Sequence, residues 1–352
     1  MDAAGTQERG STASHPDGCP RLTLGLPVYN GERYLAEALD SLLAQSFTDF
    51  ELVIADNAST DGTEAIGRAY QATDPRVRYL RHEHNMGAAF NHNVLVQQAR
   101  GEFFKWVSHD DLYAPDLLEH CVRALDERPG IVAAHAWTAF IGGSGETVQE
   151  VPYPLRTADP RPSRRFRSLL YTMGGDDIYA VVRTHVIRHM APLNSFHLAD
   201  RVWVADLVLH GPIHNVPDYL YFRRDHPERA ERSSRSLRAR CSQLDPRRAD
   251  PRRHPVVRLV GEYLLGFLRA IWRAPVGLVD RLSCCGVLLV WIAHHLDPLR
   301  KRRLMDSPDP AVRALGARSR AARVWTRAAR LRSALRRGGA ATPPDGSEAS
   351  YR

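Results

Sequence analysis

Two adjacent carboxylates, Asp110 and Asp111, close an aromatic, apolar run that reads Phe-Phe-Lys-Trp-Val-Ser-His from Phe103. A run of this kind reads as a buried strand. Carboxylates at the end of a buried strand are costly to desolvate unless something offsets their charge. In an open α/β sheet, ligands collect at the carboxyl ends of the strands. A divalent cation held by hard oxygen ligands, itself gripping phosphate oxygens, is therefore the natural partner of this pair. The plainer reading is a pair of turn aspartates before the helix that Pro115 and Asp116 begin.

Two other polar loops follow strands in the same way. Leu22–Val28 reads as a strand that runs into Tyr29-Asn30-Gly31, a loop with turn chemistry. Leu35, Ala38, Leu39, Leu42 and Leu43 then repeat at helical spacing. Glu51–Ala55 is a second strand, and it ends at Asp56-Asn57-Ala58-Ser59-Thr60-Asp61-Gly62; Asp61 and Glu64 resemble a capped helix start. Val77–Arg81 is a third strand, and Asn85-Met86-Gly87 opens a helix that runs to about Ala99. Ile131–Ala136 follows the Phe103 strand as a fifth. Strands alternating with helices predict an α/β fold, a doubly wound, mostly parallel sheet with helices on both faces. Right-handed crossovers put every carboxyl end on one edge, so Tyr29-Asn30, Asp56-Asn57 and Asp110-Asp111 should line one rim. Such a rim suits a nucleotide diphosphate, with Asp56 free to accept from a base or ribose, or simply to cap a helix. Neither Gly-x-Gly-x-x-Gly nor a P-loop is present, so phosphate charge must be met by metal or side chains.

Composition narrows the class. Hydrophobic content of 43% and charged content of 25% suit a globular chain, and 352 residues leave room for one large domain or two small ones. The formal net charge is +8, and Lys105 and Lys301 are the only lysines among the basic residues. No nucleic-acid recognition motif accompanies that charge. Five cysteines show no zinc or disulfide spacing, which suits a reducing cytosol. The polar first residues read as a disordered tail rather than a targeting peptide. The longest apolar stretch, about Cys284–Ala293, reads as too short to span a bilayer.

Taken together, Leu26-Pro-Val-Tyr-Asn-Gly-Glu32, the Asp56–Gly62 loop, Asn85-x-Gly87, Asn91 and Ser108-His-Asp-Asp111 resemble a family 2 glycosyltransferase of the GT-A fold. The resemblance is strong from Arg21 to Ala136 and weaker to about His226. It implies an inverting transfer of a sugar from a nucleotide diphosphate sugar donor to an acceptor hydroxyl, with manganese or magnesium as cofactor. By that resemblance Pro27, Tyr29, Asn30 and Glu32 form the first nucleotide loop. Asp56 is the carboxylate near the base, with Asn57 and Ser59 beside it, and Asn85, Gly87 and Asn91 flank the donor. The family's Asp-x-Asp falls on Ser108-His109-Asp110, which makes Asp110 the metal ligand and Asp111 its support; Ser108 stands where an acid is usual. Phe90 stands where many members carry a cation, and Lys105 is no obvious replacement. The family's helix-opening acidic pair becomes Ala199-Asp200 here, so Asp200 is the candidate base, with a helix N-cap as its alternative. Asp206 is the backup base, and reads more readily as a surface residue or an ion-pair partner. His226, after the closing strand Tyr219–Arg224, can join the metal or the diphosphate, or remain an ordinary loop residue. Arg223 and Arg224 could meet diphosphate charge.

The remaining stretches carry weaker signals. Pro152–Arg165 shows no periodicity and reads as a mobile excursion, and Asp177–His185 as a strand returning to the sheet. The expected organisation is a tail over 1–20, a GT-A domain over 21–229, a linker over 230–254, a basic helical appendage over 255–337 and a tail over 338–352. The appendage can serve peripheral membrane contact at the inner face of the cell membrane, packing or a homodimer. The acceptor would be a sugar or lipid-linked molecule, and polysaccharide, glycolipid or glycoconjugate synthesis the setting. The missing acids at 108 and 199 leave a second reading: a nucleotide-sugar-binding protein of the same fold without catalysis.

Overall fold

The computed structural model describes residues 18–151, 153–172, 176–227, 229 and 236–296. One compact unit reaches Cys285 and a second starts at Gly286. The strands are β1 (Leu22–Val28), β2 (Phe50–Asp56), β3 (Val77–Arg81), β4 (Phe103–Trp106), β5 (Leu112–Tyr113), β6 (Ala133–Ile141), β7 (Thr147–Val151), β8 (Val181–Arg183) and β9 (Ile213–Arg224). The helices up to residue 210 are α1 (Glu32–Leu43), α2 (Thr63–Thr73), α3 (Ala88–Gln98), α4 (Leu117–Glu127), α5 (Pro162–Tyr171), α6 (Thr184–His189) and α7 (Ala199–His210). Beyond them lie α8 (Leu237–Leu244), α9 (Val256–Arg273) and α10 (Leu278–Leu296).

The sheet order is β3-β2-β1-β4-β8-β6-β9-β5, with β7 paired to β6. β1, β2, β3 and β4 pair in parallel. β8 is antiparallel to both β4 and β6, and β6 runs parallel to β9. β1 to β4, β6 and β9 therefore point the same way, and their carboxyl ends share one edge. β1 and β2 form the centre of the parallel part, flanked by β3 and β4, and their apolar side chains are buried on both faces, as a parallel strand requires. Leu35, Leu39 and Leu42 of α1 close over that centre, with Leu117, Leu118 and Leu125 of α4 beside them. Each such side chain contributes roughly 1.5–3 kcal/mol through burial.

Several expectations change, among them the closing strand, which starts at Ile213 rather than Tyr219. The fifth strand runs Ala133–Ile141, starting and ending later than expected, because it pairs along its length with the long β9. Asp177–His185 holds a 3-10 turn, the three-residue β8 and the start of α6 rather than one strand. Part of the stretch read as aperiodic is α5, which opens with Pro162 and buries Phe166, Leu169 and Leu170. α10 extends the apolar stretch backward to Leu278, and Leu278–His295 is long and apolar enough to cross a membrane by length and composition, at a mean hydropathy of 1.3.

Residues 236–254, expected within a linker, fold as α8 and a 3-10 turn, Pro246–Ala249, inside the first compact unit. They pack on the β3–α3 loop. Gly87 there has φ +87° and ψ 157°, a conformation essentially reserved for glycine, and a Cβ on it would meet Leu244 O at 2.4 Å. Gly87→Ala is therefore expected to lose about 3 kcal/mol or more in urea unfolding. Gly130→Ala, which meets nothing within 4 Å, should match the parent. An unchanged midpoint for Gly87→Ala would contradict this packing. Residues 297–337 of the expected basic appendage, and the tails over 1–17 and 338–352, lie outside the described residues.

Candidate active site

The loops after β1 and β2 are laced together. Asn30 N donates to Ser59 Oγ at 2.9 Å, and Thr60 N donates to Asn30 Oδ1 at 2.9 Å. Gly31 N donates to Thr63 Oγ1 at 2.9 Å, and Gly62 N to Glu32 Oε2 at 2.9 Å. The β3–α3 loop joins the same lattice, because Asn57 Oδ1 accepts from Met86 N and its Nδ2 donates to Asn85 Oδ1, both at 2.9 Å. Asn91 reaches back to Ala55 O at 2.7 Å and contacts His82 Nε2 at 2.9 Å. Sequence spacing suggested one rim; these bonds bring Asn30, Glu32, Asn57, Ser59 and Asn85 together.

Asp56 sits in this lattice with both carboxylate oxygens already bonded. Its carboxylate is fully buried: Oδ1 accepts from Ser59 N at 2.8 Å, and Oδ2 from Tyr79 OH at 2.5 Å and Arg81 at 2.9 Å. In this conformation it braces the loop rather than facing a ligand. Asn57, Ser59 and Asn91 are buried as braces too. The large hydrophobic side chains these loops leave exposed are Tyr29, Met86 and Phe90. Phe90 leaves its position without a cation, as expected, and packs edge-on to His82 at 5.4 Å. Lys105 is no substitute. It is buried over Tyr113 and Tyr221, donates to Tyr179 O, and burial pushes its amine down to about 8.

The carboxylate pair lies at the carboxyl end of β4. Asp110 accepts from Ser108 Oγ and faces His226 Nε2 at 2.9 Å. Burial opposes its ionisation, but His109, Arg229, His226 and Ser108 outweigh burial and hold the carboxyl well below the usual range. Burial also pushes the His109 imidazole down from its ordinary value, and the Arg229 and Arg224 guanidinium groups lie close by. Asp111 is fully buried, accepts from Tyr221 OH and from Arg224 N at 2.9 Å, and lies 3.6 Å from Arg229. Burial first, then the charge of Asp110, pushes it up to about 7. Asp110 is thus the charged member and Asp111 a brace between β4 and β9. Gly31 approaches this cluster so closely that a Cβ on it would meet His109 Cδ2 at 2.7 Å. That contact joins the β1 loop to the Asp110 loop.

Arg223 and Arg224 do not face the rim as free cations. Arg223 bonds Asp176 at 2.7 Å. Arg224 is buried and donates to Asp110 O at 2.9 Å, Gly143 O at 2.9 Å and Glu37 Oε2 at 2.5 Å. Arg229 and Glu37 carried no local signal in the sequence, because their partners lie far along the chain. Asp200 is exposed in the first turn of α7, where its charge reaches the Tyr263 phenol of α9. The residue two before it, Leu198, has φ 61°. Among the described residues the non-glycine positions with such φ are Asn30, Ala58 and Leu198. All three flank candidate donor-loop or base residues, and backbone strain of this kind gathers at functional sites. Asp206 is buried, not on the surface, and pairs with His210 at 3.5 Å.

A cation fits this donor set only with help. Asp110 supplies a charged oxygen and His226 an imidazole whose Nδ1 is buried without a hydrogen-bond partner. Among the described residues no group of three or more His, Cys, Asp or Glu forms a ready site. That suits magnesium or manganese, which take one or two protein ligands plus phosphate oxygens and water.

A family model described as "Glycosyl transferase family 2" matches residues 23–196. An uncharacterized glycosyltransferase of Rickettsia felis is 38% identical over 109 residues, 31% of this chain and 18% of the relative. The putative teichuronic acid biosynthesis glycosyltransferase TuaG of Bacillus subtilis is 33% identical over 109 residues, 31% of this chain and 43% of the relative. The matches thus cover less than half the length of these curated relatives. Among solved structures, S. aureus TarS 1-349 in complex with UDP-GlcNAc aligns with a TM-score of 0.58 and 21% identity, over 83% of this chain and 77% of that one. At that identity the likeness is one of fold.

Proposed function

We propose that this chain, a GT-A-fold protein whose residues 23–196 belong to glycosyl transferase family 2, moves a sugar from a nucleoside diphosphate donor to an acceptor hydroxyl with inversion at the anomeric carbon. The observation that carries the reading is Asp110, a carboxylate at the carboxyl end of β4 that lies 2.9 Å from His226 Nε2, in a loop that Gly31 of the neighbouring β1 loop closely approaches. The Tyr29 loop and the Asn85–Phe90 loop would hold the nucleotide, and their bonds to the Asp56 loop fix them beforehand, which supplies proximity. Asp110 and His226 would hold the cation, which would offset charge developing on the leaving diphosphate. Asp200 takes the acceptor hydroxyl's proton as its oxygen bonds to the anomeric carbon. The carbon–phosphate oxygen bond breaks on the opposite face, and its electron pair leaves with the nucleoside diphosphate. TuaG's name points to cell-surface polysaccharide as the setting, and the TarS complex makes UDP-GlcNAc the first donor to try.

The test is release of free nucleoside diphosphate from a donor panel, with and without manganese. Cation-dependent release from at least one donor is expected. A donor that binds with manganese but is never turned over, with any acceptor extract, would leave the non-catalytic binding reading in its place.

A further inference from the structure

α9 is two-faced. It buries Leu259, Phe267, Ala270 and Ile271 and turns Val257, Leu265, Leu268 and Trp272 outward, with Val257 73% and Trp272 52% exposed. Those outward positions recur at helical spacing and form one stripe. The first turns of α10 continue it with Leu278, Val279 (78% exposed) and Leu282. The corner between them is fixed: the Arg281 guanidinium lies 5.9 Å from the Trp272 ring and donates to Ala274 O at 3.1 Å. A contiguous apolar surface of this kind on a globular unit marks an interaction site.

Charge says what covers it. Arg269 and Arg273 are exposed on α9. Beyond α10, residues 300–337 hold thirteen Lys and Arg against Asp306 and Asp309. An aliphatic stripe with a tryptophan at its edge, followed by a strongly basic chain, matches the boundary between acyl chains and anionic headgroups. A nucleic acid would leave the aliphatic stripe in water. α9 cannot itself cross a bilayer, because its other face is buried within the first compact unit.

We propose that the outward stripe of α9 and the start of α10 seats on a bilayer rich in anionic lipid, with the exposed Arg269 and Arg273 toward the headgroups and the basic sequence after α10 adding to the attraction. The proposal is independent of the donor and would hold for any acceptor.

The test is flotation of the full-length chain with vesicles of phosphatidylcholine alone or mixed with phosphatidylglycerol. The chain should float with the mixed vesicles and stay behind with the neutral ones. The triple variant Val257→Asp, Leu265→Asp, Trp272→Asp should bind about tenfold more weakly or worse. Its melting temperature should fall only slightly, since Val257 and Leu265 face water and Trp272 loses little beyond its contact with Arg281. Arg318→Gln, Arg320→Gln, Arg323→Gln and Arg327→Gln together should weaken the preference for anionic lipid. Several results would overturn the proposal: no flotation with either vesicle, a triple variant that floats like the parent, or a soluble dimer dispersed by the same triple variant. The last would mean that a second copy covers the stripe.

Discussion

Asp110→Ala is expected to lower kcat/KM for sugar transfer roughly 10³-fold or more and to remove the manganese dependence of donor binding. Asp110 is the group at the rim whose charge survives burial, held by Arg229, His226 and Ser108. Alanine removes that charge and leaves the Ser108 hydroxyl and His226 Nε2 without their acceptor. Because Asp110 is buried, Asp110→Asn is the control for folding. It keeps the shape and one acceptor oxygen, should melt close to the parent, and should be nearly as inactive as alanine. A well-folded Asp110→Asn chain with full, manganese-dependent activity would remove the cation from this place.

Asp200→Asn should leave donor affinity within about twofold and lower kcat by about 10²–10⁴-fold, the range of general-base contributions. The substitution preserves size and the first-turn position in α7, whose N-cap is Leu198 and not Asp200, so a purely structural role there would be kept. Only the ability to take a proton is lost. Measuring kcat and donor affinity separately distinguishes the two roles. Unchanged turnover would move the base elsewhere. Asp206 would not inherit the task, since it is buried against His210 and accepts from Ala191 N at 3.3 Å.

The central strands were legible because each is an apolar run buried on both faces, and β1 and β3 begin and end where their sequences change character. The rim followed from strand direction alone. Roles within the rim were harder to read, because they depend on partners brought from elsewhere in the chain. Asp56 looks like a ligand contact until Tyr79 and Arg81, from the next strand, close over it. Arg224 looks like a phosphate ligand until Glu37, 187 residues away, claims it. α5 was hidden by composition. Arg165 occupies a buried helical position and satisfies its guanidinium on Val208 O at 2.6 Å and Asp159 O at 2.9 Å. A buried arginine with such partners breaks the apolar rhythm by which helices are read.

The account's centre is a charged carboxylate and two laced loops that grip one activated sugar through a cation. Crystals of the full chain grown with manganese and a nucleoside diphosphate, measured at the manganese absorption edge, test it most directly. The account predicts an anomalous peak bonded to Asp110, with the base against Tyr29. A nucleotide bound without metal at this rim, or a manganese peak on another part of the molecule, would contradict it.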